Sequence, residues 1–368
     1  MNKEVITDKQ GICLVIMFIL GSTLLIGTGS IAENDTWLSI IIGTLLSIPV
    51  IMIYSRLLYL FPGKDLFDIL YIVFGNIIGK ILSIIYIWFS FYLGVLVLRN
   101  FSEFTNIIIY PDTPIVVPMI FFILLCIFAI KLGIEVLGRW SEIFIIANII
   151  AVILVAIILS STQMEINNLL PVLYNGIKPV ISGAFSALSF PFAETIVFTM
   201  VFSSFENRKS SYKIYFYGLI IGALILFINS LQNILVLGSD TMIINYFPTY
   251  ISLSIIRLGT FIERMEATVI IVLIINVFTK ATLDMLATCR GIAKLLNIDD
   301  YRFLATPIAL LTLVFSMFNF KSTMDMTNWA FKVWPYYAIP HQVILPVIIL
   351  IAAEIKVRKL PSSNIHKI

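Results

Sequence analysis

Residues 10–31 read QGICLVIMFILGSTLLIGTGSI, and residues 176–203 read GIKPVISGAFSALSFPFAETIVFTMVFS. Each run is apolar and long enough to cross a hydrocarbon core about 30 Å thick. Each is also interrupted: Gly21, Ser22, Thr23, Gly27, Thr28 and Gly29 break the first, and Gly183, Ser186, Ser189 and Pro191 break the second. Unwound backbone frees N–H and C=O groups, which hydrocarbon cannot satisfy but a small polar ligand can. Small residues in one span alone would be explained by close helix packing. Two interruptions at matching positions of two five-helix halves point instead to an inverted-repeat transporter fold with a midplane site.

The rest of the chain fits that class. Its mean hydropathy is +1.03, with 60% hydrophobic and 12% charged residues, where a soluble domain carries about 25% charged. Spans are predicted at 10–31, 35–60, 79–108, 114–132, 134–160, 176–203, 211–238, 262–295, 303–320 and 334–355. The expectation is an all-α polytopic protein with one integral membrane domain over 1–368. The first repeat covers about 10–160, the second about 176–320, and a last helix about 334–355. The first segment is too long for a signal-peptide core and no small-residue cleavage site follows it, so it is expected to remain as a helix. Thr7 and Gln10 make a capping box ahead of it. Trp37, Trp88, Trp140, Trp329 and Trp334 fall mostly near predicted helix ends, as interfacial aromatics do.

With the N-terminus inside, the lysines and arginines gather at inner ends. The exceptions among the 24 are Arg99, Lys178, Arg257, Arg264, Lys280, Lys321 and Lys332. That bias, with an even helix count, puts both termini in the cytoplasm. The net charge of +3 is spread between helices and gives no nucleic-acid surface. Cys13, Cys126 and Cys289 all lie in apolar segments and act as small hydrophobes. His341 and His366 are too far apart in sequence to suggest a metal site. No nucleophile–base pair, phosphate loop or metal cluster is present, so neither an enzyme nor a cofactor is expected.

Residues 270–289, IIVLIINVFTKATLDMLATC, place Lys280 and Asp284 one helical turn apart inside a span. A charge near the bilayer centre costs several kcal/mol, so such residues face a packed or wet interior, usually paired. They tie helices together or mark a ligand path. Glu194, three residues past Pro191, is an alternative partner for Lys280. Glu135, Arg139 and Glu142 share one face at the start of the fifth span and read as an inner gate or an interfacial ion pair. Glu263, Arg264 and Glu266 admit the same readings at the outer end, or contact with a partner subunit. Residues 62–68, PGKDLFD, read as a short amphipathic helix on the inner surface.

Four pieces in order carry a resemblance: LRNFSEF at 98–104 with PDTP at 111–114; GIEVLGR at 133–139; NLLPVL at 168–173 with Gly176; and FIERME at 261–266 ahead of Phe278 and Lys280. In these the chain resembles the B subunits of spore germinant receptors, the endospore germination permease family of the amino acid–polyamine–organocation superfamily. The resemblance implies a LeuT-like ten-helix fold and a complex with A and C subunits in the inner membrane of the spore. It also implies binding of a small nutrient such as an amino acid. By position in that fold, Gly21, Ser22 and Thr23 would offer N–H groups to a carboxylate, with Ser189, Phe190, Ala193 and Glu194 opposite. Phe91 and Val95 would give apolar contact. Lys280 would stand where sodium-coupled relatives hold the ion, making the protein sodium-independent, and Asp284 would hold a ligand amino group or neutralise the lysine. Sensor, transporter and ligand-gated ion or water path remain open on the sequence, as do the ligand and the stoichiometry.

Overall fold

The computed structural model describes residues 4–159, 164–203, 205, 207–255 and 265–358. The capping box is present: the Thr7 hydroxyl accepts from the Gln10 N–H at 3.2 Å while the Gln10 side chain accepts the Thr7 N–H at 3.3 Å. It opens α1 (Asp8–Leu20), which stops where Gly21 turns to φ −7°, ψ −121°. A four-residue helix, α2 (Thr23–Ile26), follows. Gly27 and Gly29, at φ 77° and 70°, then lead the chain towards α3 (Thr36–Leu60).

Next comes α4 (Leu66–Phe104), which Gly75 (φ 77°) divides into an opening segment and a long span. That opening segment starts at Leu66, within the 62–68 stretch expected as a short amphipathic helix. Its Leu66, Phe67, Ile69 and Leu70 are wholly buried, so it packs down against the bundle. Then come α5 (Val116–Leu132) and α6 (Ile134–Leu159). The sixth span is α7 (Ile177–Ala187), an irregular stretch over 188–196 that contains Pro191, and α8 (Val197–Val201). It is followed by α9 (Ser210–Ile244), α10 (Pro248–Ile255), α11 (Met265–Leu296) and α12 (Ala305–Phe318). The last span joins α13 (Thr323–Asn328), α14 (Trp334–Ile339) and α15 (Leu345–Arg358) through single wide turns.

Among the described residues, nine helices are long and apolar enough to cross a membrane, and Val116–Leu132 is a shorter apolar helix. At 1.5 Å per residue its 17 residues reach about 25 Å, the lower end of what a bilayer needs. Burial orders the bundle. The most apolar windows of the first and sixth spans are each 89% buried, against 22% for the fifth and 28% for the last. The two interrupted spans therefore form the centre. Outer helices turn residues such as Ile143, Ile146, Ile150 and Ile153 outward, which is favourable only against lipid.

Candidate functional site

Three elements meet at one ammonium group. Lys280 lies in α11 with none of its surface exposed, and its Nζ donates to Oε2 of Glu194, which is equally buried. The ammonium also sits 5.0 Å from the Phe18 ring centroid and 4.9 Å from that of Phe190, so it is held by a carboxylate and two π faces. Its stem passes Gly21, where a Cβ would come within 2.6 Å of Lys280 Cδ and 2.9 Å of the Phe18 carbonyl. The glycine of the first break thus makes room for the lysine.

Asp284 is not the partner. Its carboxylate is fully buried, and neither oxygen has a hydrogen-bond partner in the protein. The order lysine, then acid four residues on, is the unfavourable one, because helical side chains lean towards the N-terminus of their helix. Asp284 instead packs where Gly94 of α4 leaves space, 3.5 Å from where a Cβ there would stand.

The backbone of the breaks is largely satisfied by side chains from elsewhere. Thr28 Oγ1 donates to the Phe190 carbonyl at 2.7 Å, Gln342 Nε2 to the Ser189 carbonyl at 3.0 Å, and Tyr54 OH to the Ala193 carbonyl at 3.0 Å. Ser189 Oγ turns back to the Ser186 carbonyl. In the first break, the Gly21 N–H is already bonded to the Met17 carbonyl at 2.9 Å. It is not the free donor expected there. In that break the Ser22 hydroxyl is buried and without a partner, and that of Thr23, also buried and unpartnered, lines a separate cavity against α9.

A cavity of about 30 Å³ lies beside these groups, bounded by Ser22, Asn100, Phe190, Glu194 and Trp334. It has room for a water molecule or two and not for an amino acid. From α4 it is lined by Leu93, Leu96, Val97 and Asn100. Phe91 and Val95, two residues off that register, fall about half a turn away; Phe91 packs edge-on to Phe315, their centroids 5.3 Å apart. Trp334, expected at the interface, is 2% exposed and stacks on Phe89.

Ion pairs stand at the two ends of the bundle. Glu135 and Arg139 form an exposed i, i+4 pair at 2.6 Å, and Glu142 approaches Lys9 at 3.9 Å. Glu263, Arg264 and the Glu266 side chain lie outside the described residues. At the N-terminal end Glu4 gathers three elements: it pairs with Arg290, accepts from Tyr301 OH at 3.2 Å and lies 3.6 Å from Arg302. Arg290 in turn donates to the Val201 carbonyl at 2.6 Å, and Ile6 bridges Phe205. Sequence reasoning missed this cluster, because Glu4 and Arg290 stand 286 residues apart and no local pattern links them. At the opposite end Arg99 pairs with Glu103 at 2.6 Å and donates to the Ser316 and Met317 carbonyls at the end of α12. Glu103 accepts from Thr323 Oγ1 at 2.7 Å. The guanidinium thus satisfies carbonyls that a helix end leaves free.

Solved structures with this fold are transporters. A nucleobase-cation-symport-1 family transporter, MHP1, in a closed conformation with bromovinylhydantoin bound, superposes with a TM-score of 0.72 at 9% identity, covering 99% of this chain and 82% of that one. An Eremococcus coleocola manganese transporter gives 0.55 at 10% identity, covering 95% and 85%. Spore germination protein KB of Bacillus subtilis is 30% identical over 368 residues, 99% of this chain and 98% of that protein. Spore germination protein A2 of the same organism is 25% identical over 95% of both chains. Residues 5–324 match the spore germination protein family of permeases. The chain is an integral membrane protein and belongs to that family.

Proposed function

We propose that this chain is the nutrient-sensing membrane subunit of a spore germinant receptor. In this reading it binds a small solute such as an amino acid where the first and sixth spans break, and acts with A- and C-type subunits in the inner membrane of the spore. The two halves form a five-plus-five inverted repeat with both termini cytoplasmic, so the Glu4 cluster closes the cytoplasmic end. One observation carries the reading: a fully buried Lys280–Glu194 pair held between two interrupted spans and beside the unpartnered hydroxyl of Ser22. Charges so placed in a bilayer protein mark a ligand or ion path, at the position where such folds bind their substrates. The small midplane cavity corresponds to a state that must widen before a nutrient enters.

A second reading is a sodium-independent amino-acid transporter, favoured by the closure of one end while the other holds an open cavity. The two are separated by pairing spore germination dose–response curves with uptake of labelled amino acid by the reconstituted chain. A nutrient response without uptake is expected. Saturable uptake moves the conclusion to the transporter, and a normal dose–response in Lys280→Met spores with normal protein levels removes the midplane site.

A further inference from the structure

A second cavity, of about 340 Å³, opens at the end of the bundle away from the N-terminus, between α2, the start of α3, the C-terminal half of α9 and α13. This is within the range of small-molecule pockets and far larger than the midplane cavity. Its polar side is constructed. The Asn229 side-chain oxygen accepts from Thr249 Oγ1 at 3.0 Å and from Asn233 Nδ2 at 3.4 Å, and Ser252 Oγ donates to the Asn233 oxygen at 2.7 Å. With its oxygen so engaged, Asn229 has its amide N–H groups to spare. Two further lining hydroxyls, Thr23 Oγ1 and Ser230 Oγ, are buried and have no partner in the protein. Buried donors of this kind are costly unless something in the cavity bonds them.

Among the described lining residues Glu33 is the one charged group. Its backbone sits at φ 53°, a conformation rarely adopted outside glycine, and one carboxylate oxygen accepts from Asn175 Nδ2 at 2.9 Å. The opposite walls are apolar, from Ile26, Ile40, Leu226 and Phe331. A carboxylate at the rim with no cation among the described lining residues disfavours a simple anion. A molecule carrying both charges suits the cavity.

We propose that this cavity is a second binding site, separate from the midplane, for a zwitterionic amino acid. Its ammonium group pairs with Glu33, its carboxylate takes the free donors of Asn229, Ser230 and Thr23, and its side chain lies on the aliphatic wall. The proposal rests on the reading of the protein as a small-solute sensor or carrier, and gives the solute a site before it reaches the midplane.

The test is equilibrium binding of each standard amino acid to the full chain in lipid nanodiscs. Ser230→Ala and Thr23→Val remove hydroxyls that bond nothing in the protein, so folding is not at risk through them. Asn229→Asp keeps the acceptor that Thr249 and Asn233 use and replaces the free donor by a negative charge. Each of the three, and Glu33→Gln, is expected to weaken binding about tenfold with unchanged thermal stability, while Ser22→Ala leaves this binding component intact. Binding lost in Ser22→Ala and kept in the four outer variants overturns the second site and leaves the midplane reading standing, whereas no binding of any amino acid to the wild type overturns both. Binding that survives Lys280→Met in spores whose nutrient response is also unchanged upholds the second site and sinks the midplane reading.

Discussion

Lys280 and Glu194 illustrate how unequal the two halves of a buried pair are from the point of view of stability. Removing one charge leaves the other in a low-dielectric interior, at a cost of about 3–5 kcal/mol, whereas removing both is often neutral. Lys280→Met and Glu194→Gln are therefore each expected to lower the thermal midpoint in detergent strongly, and the double variant to recover most of the loss. Additive losses would mean that the two do not act as a pair. Asp284→Asn should be neutral or stabilising in the same assay, since neither carboxylate oxygen has a partner to lose. Gly21 belongs with this group. Alanine there meets both the lysine stem and the Phe18 carbonyl, and the second cannot swing aside, so Gly21→Ala should cost about 1–3 kcal/mol. Unchanged stability would show that the lysine stem has another route.

Whole elements here end where their neighbours allow it. The irregular stretch at 188–196 exists because Thr28, Tyr54 and Gln342, from three other parts of the chain, take the carbonyls of Phe190, Ala193 and Ser189. Without such donors an unwound segment would be untenable in hydrocarbon. The start of α4 shows a different compromise. Asp65 caps it, accepting from the Asp68 N–H at 2.9 Å, but burial, with Asp68 adding to the effect, pushes its carboxyl from 3.8 up to about 6. A folded-state value above the unfolded one means that this group's contribution is fully present below about pH 3.8 and is lost as pH rises through about 6. Asn caps equally well and does not ionise. Asp65→Asn should thus raise stability at neutral pH and flatten its pH dependence between those values; a variant as pH-dependent as the wild type would contradict this.

At the scale of the molecule, the lysine and its carboxylate form a closed pair in the buried centre of the bundle, and we propose that its ammonium takes the place of a coupling cation. Nutrient binding or germination should be the same in potassium-only and sodium-containing buffer of equal ionic strength. A tenfold gain from sodium, about 1.4 kcal/mol, would put a cation on Asp284 and revive a coupled transporter. Much of this molecule was legible in advance, because the bilayer forces apolar runs of fixed length and makes Lys280 conspicuous. The choice of its partner was not: Asp284 and Glu194 both offered a carboxylate, and Glu194 stands 86 residues away, so only packing decides between them. The lining face of α4 was equally hidden: a helix apolar on every side carries no mark of which side meets the cavity, and so Phe91 and Val95 were expected where Leu93 and Val97 stand. The Glu4 cluster and the Asn229 network depend on contacts between distant elements that no local pattern announces.

The depth at which the first span lies has a consequence for synthesis. Of the described spans, the one made earliest is among the most enclosed, at 89% buried, and Phe18 and Gly21 meet Lys280 only after some 260 further residues have been made. The residue just ahead of it, Glu4, waits still longer for Arg290 and Arg302. During translation the first span must therefore rest in lipid or against an insertase, its glycine-rich break unsupported, until the second half arrives. Chain release before α11 leaves the centre of the molecule without its wall.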